Sequence, residues 1–137
     1  MWWIYALLSA LFAAFTAIFA KVGIKGVDTD LATAIRTVVI LIIAWSIVFF
    51  RGGASALHTL TRQNIIFLCL SGLATGLSWI FYFKALQLGK VSQVAPVDKM
   101  SVAIAIILSV LFLGETLTPR IAIGAIMIIT GTVVLIL

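Results

Sequence analysis

The chain is poor in the residues that build chemical sites. It holds one cysteine, Cys69, and one histidine, His58, so no intrachain disulfide, zinc cluster or cysteine–histidine nucleophile pair can be assembled from it. No metal and no organic cofactor is expected, and an enzyme ranks last because no nucleophile and base set exists. Charge is equally scarce. Only 9% of the 137 residues are charged, against about 25% in a soluble domain, and this excludes an ordinary water-soluble fold. Four residues are acidic and the net charge is +5. The nine Lys and Arg are scattered between apolar segments instead of clustered, which argues against nucleic acid as a partner and for a topological role.

What the chain does contain is apolar sequence. Hydrophobic residues make up 64% of it, and the mean hydropathy is +1.33. They come as long continuous runs, not as the ~10-residue alternating segments of an outer-membrane barrel. A helix needs ~20 residues to cross ~30 Å of hydrocarbon, and spans are expected at about 2–20, 31–50, 65–86, 91–113 and 120–137. The expectation is an all-α membrane protein, a single transmembrane domain over 1–137 with five helices in a bundle. The first run is longer than the apolar core of a signal peptide and is read as a retained helix. Asp28-Thr29-Asp30 offers an acidic N-cap to the second span, and Arg51-Gly52-Gly53 stops it. Ala54 to Thr61 is expected to form an interfacial turn, Gln87 to Lys90 a tight connection, and Pro119 the first turn of the last helix. Trp2, Trp3 and Tyr5 suit the membrane interface. Outside the spans or near their ends, one face receives Arg51, Arg62 and Arg120 and the other Lys21, Lys25, Lys84 and Lys90. So even a division does not choose an orientation and permits insertion both ways.

Arg36, Asp98 and Lys99 are the deepest ionisable residues. Each costs on the order of 2.5–3.5 kcal/mol to insert, so each needs a reason to be there. Arg36 and Asp98 lie about six and eight residues into helices that start from the same face, at one depth of roughly 8–12 Å. Successive residues point about 100° apart on a helix, so Asp98 and Lys99 are expected to pair poorly with each other, Arg36 to pair with Asp98 across helices, and Lys99 to be spare. Pro96 blocks a helical hydrogen bond and frees the carbonyl of Ser92. Beyond it Asp98, Ser101, Ala105 and Ser109 recur at helical spacing, as Ser71, Thr75, Ser78 and Tyr82 do on the third span with Trp79 alongside. Two such stripes, facing each other, would line a pathway. The plainer alternatives are that the charges only fix helix register and that the small polar residues are helix contacts. Gly72 and Gly76, and Gly124 and Gly131, suit close helix packing. Lys84 suits snorkelling to the interface and Cys69 a small apolar filler.

A resemblance adds a second line of argument. The stretch from Phe81-Tyr82-Phe83-Lys84-Ala85-Leu86-Gln87-Leu88-Gly89-Lys90 through Val91-Ser92-Gln93-Val94-Ala95-Pro96, the later Leu111-Phe112-Leu113-Gly114-Glu115, and the closing Gly124 to Gly131 helix together resemble the EamA domain of the drug/metabolite transporter superfamily. Lys21 to Thr37 also looks like that family's link between helices one and two. The resemblance implies one half of a ten-helix inverted-repeat transporter built around a central substrate cavity. A lone unit then implies a homodimer, and the balanced charges permit an antiparallel one. It further implies export or exchange of a small metabolite by alternating access in a bacterial inner membrane, with Arg36, Asp98, Lys99, Ser78, Trp79, Tyr82 and Ser101 as the substrate-contact candidates and Glu115 at a helix end or gate. Two cationic groups against one anionic group in the spans lean toward an anionic or zwitterionic solute. Small multidrug resistance exporters, which are related, rely on a glutamate in the first helix, and the first span here has no acidic residue. The alternatives are an exporter of that kind, or a non-transporting membrane subunit or scaffold packed against a larger partner.

Overall fold

Long apolar runs with caps at their ends become helices because, in lipid, a backbone can satisfy its own hydrogen bonds only within a helix or a closed barrel. The computed structural model describes all 137 residues. It contains α1 (Trp2–Gly23), α2 (Thr29–Phe50), a short 3₁₀ segment (Gly53–Thr59), α3 (Arg62–Leu88), α4 (Val91–Leu113) and α5 (Pro119–Ile136), with no strand. The five α-helices are each long and apolar enough to cross a membrane. The protein is therefore an all-α, multi-pass membrane protein.

The ends of the helices follow from local chemistry. The Asp28 carboxylate accepts from the backbone N–H groups of Asp30 and Leu31, both at 3.0 Å, so α2 begins at the cap and not at its first apolar residue. Thr61 does the same for α3, accepting from Asn64 N–H at 3.2 Å. The polar Arg62, Gln63 and Asn64 thus join a helix whose apolar part starts later, which is why it is longer than the span read from hydropathy. Thr118 accepts from Ile121 N–H at 3.4 Å ahead of Pro119. Gly114 closes α4 in the left-handed region at φ 68°, a conformation that costs other residues about 1–2 kcal/mol.

The helices group into two compact units, one formed by Met1–Phe19 with Leu88–Leu137 and the other by Ala20–Gln87. In the first, α4 and α5 make the extended helix pair. The buried Thr132 hydroxyl lies 2.8 Å from the Ile128 carbonyl of its own helix and 3.3 Å from the Pro96 carbonyl of α4, so α5 is hydrogen-bonded to the proline-containing turn. In the second, the end of α1, the loop after it, α2 and the end of α3 are tied together. The Lys21 ammonium donates to the Leu86 carbonyl, and the Gln87 amide donates to the Val27 carbonyl at 3.1 Å. Ile24, Phe83 and Leu86 are buried with Thr29 and Thr33. The Thr33 hydroxyl is satisfied by the Thr29 carbonyl at 2.8 Å, so the residue adds no unpaired buried donor.

Most other large apolar side chains are exposed on the single chain, as suits a surface that faces lipid. Helix stability at the loop ends then leans on capping. Asp28→Ala is expected to cost about 1 kcal/mol, whereas Asp30→Ala, which loses only a first-turn dipole interaction, costs about 0.3–1 kcal/mol. Detergent melts of the two variants check the order.

Candidate substrate-binding site

Arg36 sits on α2, three residues beyond the buried Thr33, on a stretch that the Asp28 cap sets in register. Its guanidinium carbon lies 4.5 Å from the ring centroid of Trp79 and 4.9 Å from that of Phe83. These two rings are four residues apart on α3 and so share one face. Tyr82 follows closely, its ring centroid 5.9 Å from that of Phe83. Phe83 itself is only 2% exposed, which fixes the platform that the guanidinium rests on.

Magnitudes decide what such a nest can do. A desolvated cation over aromatic faces gains about 2 kcal/mol, which offsets much of the roughly 2.5–3.5 kcal/mol needed to put an arginine into the membrane. The rings do not replace hydrogen bonds, however. A guanidinium carries five N–H donors and no acceptor, and the Arg36 Nη1 atom is buried without a hydrogen-bond partner. A buried unmade donor costs about 1–3 kcal/mol, and a carboxylate or phosphate oxygen is the acceptor that recovers most from it.

The second set of candidates lies on α4, in the other unit. Lys99 Nζ is 3.3 Å from Asp98 Oδ2. This corrects the expectation that Asp98 and Lys99 pair poorly: Asp98 pairs with its own neighbour. The physical reason is reach. The Cβ directions of adjacent residues diverge by about 100°, but four methylenes let the lysine ammonium curl across that angle. Asp98 is 34% and Lys99 58% exposed, so the pair is the more accessible of the two clusters. Lys99 is therefore not a spare charge.

The other candidates divide between the two units. Ser78 accompanies Trp79 and Tyr82 on α3, while Ser101 lies on α4 one turn beyond Asp98. Part of each polar stripe bonds its own helix: Thr75 donates to the Ser71 carbonyl at 2.9 Å and Ser109 to the Ile106 carbonyl at 3.0 Å. Glu115 is exposed and follows the left-handed Gly114, its backbone N–H donating to the Ser109 carbonyl at 3.3 Å. A Cβ added at Gly72, Gly76, Gly124 or Gly131 would meet nothing within 4 Å. No close helix contact within one chain therefore depends on these glycines.

Phe83 is the member of the site that sequence reasoning missed. Its signal was available in the i, i+4 spacing from Trp79, which marks a two-ring face beside a deep cation.

The whole chain, residues 1–137, matches the EamA-like transporter family. A protein from Sinorhizobium sp, named an uncharacterized transporter in the cobO 3' region, is 48% identical over 134 residues, covering 98% of this chain and 95% of its own length. An uncharacterized protein from Methanocaldococcus jannaschii is 36% identical over 77 residues, or 56% of each chain. No solved structure matches significantly.

The α4 ion pair makes a direct prediction. Asp98→Asn strands the Lys99 charge within the span and is expected to cost on the order of 2.5–3.5 kcal/mol. Asp98→Asn with Lys99→Gln removes both charges and should recover most of that loss. Additive losses in detergent melts would show that the two side chains do not interact.

Proposed function

Because the chain belongs to the EamA-like transporter family, we propose that it exports or exchanges a small metabolite carrying a carboxylate or phosphate across a bacterial inner membrane. The observation that carries this reading is the buried, unpartnered Nη1 of Arg36 between the rings of Trp79 and Phe83. A solute that brings its own anionic acceptor is held there and nowhere else gains as much. Either an anion or a zwitterion meets the requirement. Trp79 and Tyr82 supply faces for the apolar part of the solute, and Ser78 a hydroxyl on the same helix.

In this reading Asp98, Lys99 and Ser101 form a second contact set beside the break at Pro96. Their pair is closed when no solute is present and is opened by a charged group that competes for either partner. Glu115 serves at the helix end as a gate. Transport proceeds by alternating access in a homodimer. Two considerations support the dimer: the tandem two-unit arrangement that the family resemblance implies, and the open space at Gly72, Gly76, Gly124 and Gly131, where a second copy can approach closely. The even distribution of basic residues suits an antiparallel arrangement.

The test is uptake by the purified protein in proteoliposomes against a panel of anionic, zwitterionic and cationic metabolites. Arg36→Gln removes a charge-assisted hydrogen bond of about 1.5–3 kcal/mol, so apparent affinity for the transported anion should fall roughly 10- to 100-fold. The melting temperature should change little, because the lost cation–aromatic contact is offset by the removed desolvation cost. Arg36→Lys keeps the charge but not the planar fork and should be intermediate. Transport of cations alone, unaffected by these changes, would overturn the anion reading. An inert wild type in every gradient would favour a non-transporting subunit.

A further inference from the structure

At the far end of α2 from Arg36 the chain builds a second feature that the transport reading does not use. Arg51 caps the helix, its N–H donating to the Ile47 carbonyl at 3.0 Å. Gly52 then turns the backbone through the left-handed region at φ 68°, where a side chain would be strained. The 3₁₀ segment folds back against α2 so closely that a Cβ on Gly53 would lie 3.5 Å from the Val48 carbonyl oxygen. Ser55 fastens the reversal by donating to the Gly52 carbonyl at 3.0 Å. Between the last turns of α2 and this segment lies a groove of about 250 Å³, lined by Ala44, Trp45, Val48, Ala56, Leu57 and Leu60 with Gly53. Its walls carry no charged or hydrogen-bonding side chain apart from the Trp45 indole.

The charges around it have one sign. Arg51 precedes the groove residue Gly53 by two positions, Arg62 follows Leu60 by two, and His58 lies between. Neither arginine is joined to a carboxylate, since the ion pair of the protein is that of Asp98 with Lys99. From Leu31 to Val97 the sequence contains no acidic residue at all. An apolar slot next to unpaired guanidinium groups, at the end of a membrane-spanning helix, matches a molecule with a hydrocarbon tail and an anionic head.

The geometry points to a binding site for an anionic phospholipid, with one acyl chain in the groove between α2 and the 3₁₀ segment and the phosphate held by Arg51 and Arg62. Tail and head are both needed. The groove alone would accept any lipid, and two surface arginines alone would accept free phosphate. Trp45 lies within the last two turns of α2, and indoles favour the boundary between hydrocarbon and headgroups. The guanidinium fork suits phosphate oxygens better than an ammonium does. An anionic lipid bound here would fasten the only long connection of the chain to α2.

Native mass spectrometry of the detergent-purified protein, titrated with phosphatidylglycerol or phosphatidylcholine, tests the proposal. Phosphatidylglycerol should bind more tightly, and its advantage should shrink as salt is raised. Each basic residue near a membrane surface is worth about a fivefold change in affinity for anionic lipid. Arg51→Gln with Arg62→Gln should therefore weaken phosphatidylglycerol binding about 25-fold and phosphatidylcholine, whose phosphate is offset by its own choline cation, much less. Ala44→Phe fills the groove while keeping both arginines, and should weaken both lipids. Arg120→Gln, in the other unit, is the control and should alter neither. Equal binding of the two lipids by the unaltered protein at low salt would overturn the proposal without recourse to any variant. So would indifference of phosphatidylglycerol binding to Ala44→Phe.

Discussion

A charge within hydrocarbon must find compensation, and the way Arg36 finds it is the constraint on which the proposed site depends. The one salt bridge of the chain joins Asp98 to Lys99. Arg36 rests on the electron-rich faces of Trp79 and Phe83. They stabilise the cation enough to keep it in place but leave Nη1 without an acceptor. Full compensation would have removed the reason to bind anything, and no compensation would have kept the residue out of the span. The intermediate condition is what a reversible binding site requires.

The rest of the chain meets the same constraint with less at stake. The Thr33, Thr37, Thr75 and Thr130 hydroxyls turn back to carbonyls of their own helices, so polar residues sit in apolar spans without needing partners elsewhere. Thr132 reaches a carbonyl of another helix, at Pro96. Polar ties of the other kind gather outside the apolar stretches, where Lys21 and Gln87 bind backbone carbonyls at helix ends. Belonging to the EamA-like transporter family gives the arrangement its context, and the exposed apolar faces with uncrowded glycines leave room for lipid or for a second copy.

Much of the fold was legible because the signals were local. Five apolar runs predicted the five helices, Asp28 and Pro119 marked two of the starts, and the Ala54 to Thr61 stretch became a 3₁₀ segment at Gly53–Thr59. Helix ends were less so, since Arg62 to Asn64 are polar and yet helical, capped by Thr61. At the candidate site the sequence named Arg36, Trp79, Asp98 and Lys99 but expected Asp98 and Lys99 to pair poorly, whereas they form an ion pair. Helical angles describe where a side chain starts, whereas partners depend on where a long side chain ends. Lysine and arginine have enough rotatable bonds to separate the two. Phe83 was hidden for another reason: in a chain so rich in apolar residues, a platform ring and a lipid-facing ring look alike.

The proposed site stands on the Arg36 Nη1 atom, buried without a hydrogen-bond partner, taking its missing acceptor from the solute. Solid-state NMR in lipid can measure it, by dipolar recoupling between ¹⁵N in the Arg36 side chain and ¹³C in the carboxylate of a labelled, transported solute. The account predicts a contact of roughly 4 Å, the spacing of a charge-assisted hydrogen bond between these groups, appearing when solute is bound and lost on washout. A bound solute whose carboxylate stays remote from Arg36 would contradict it.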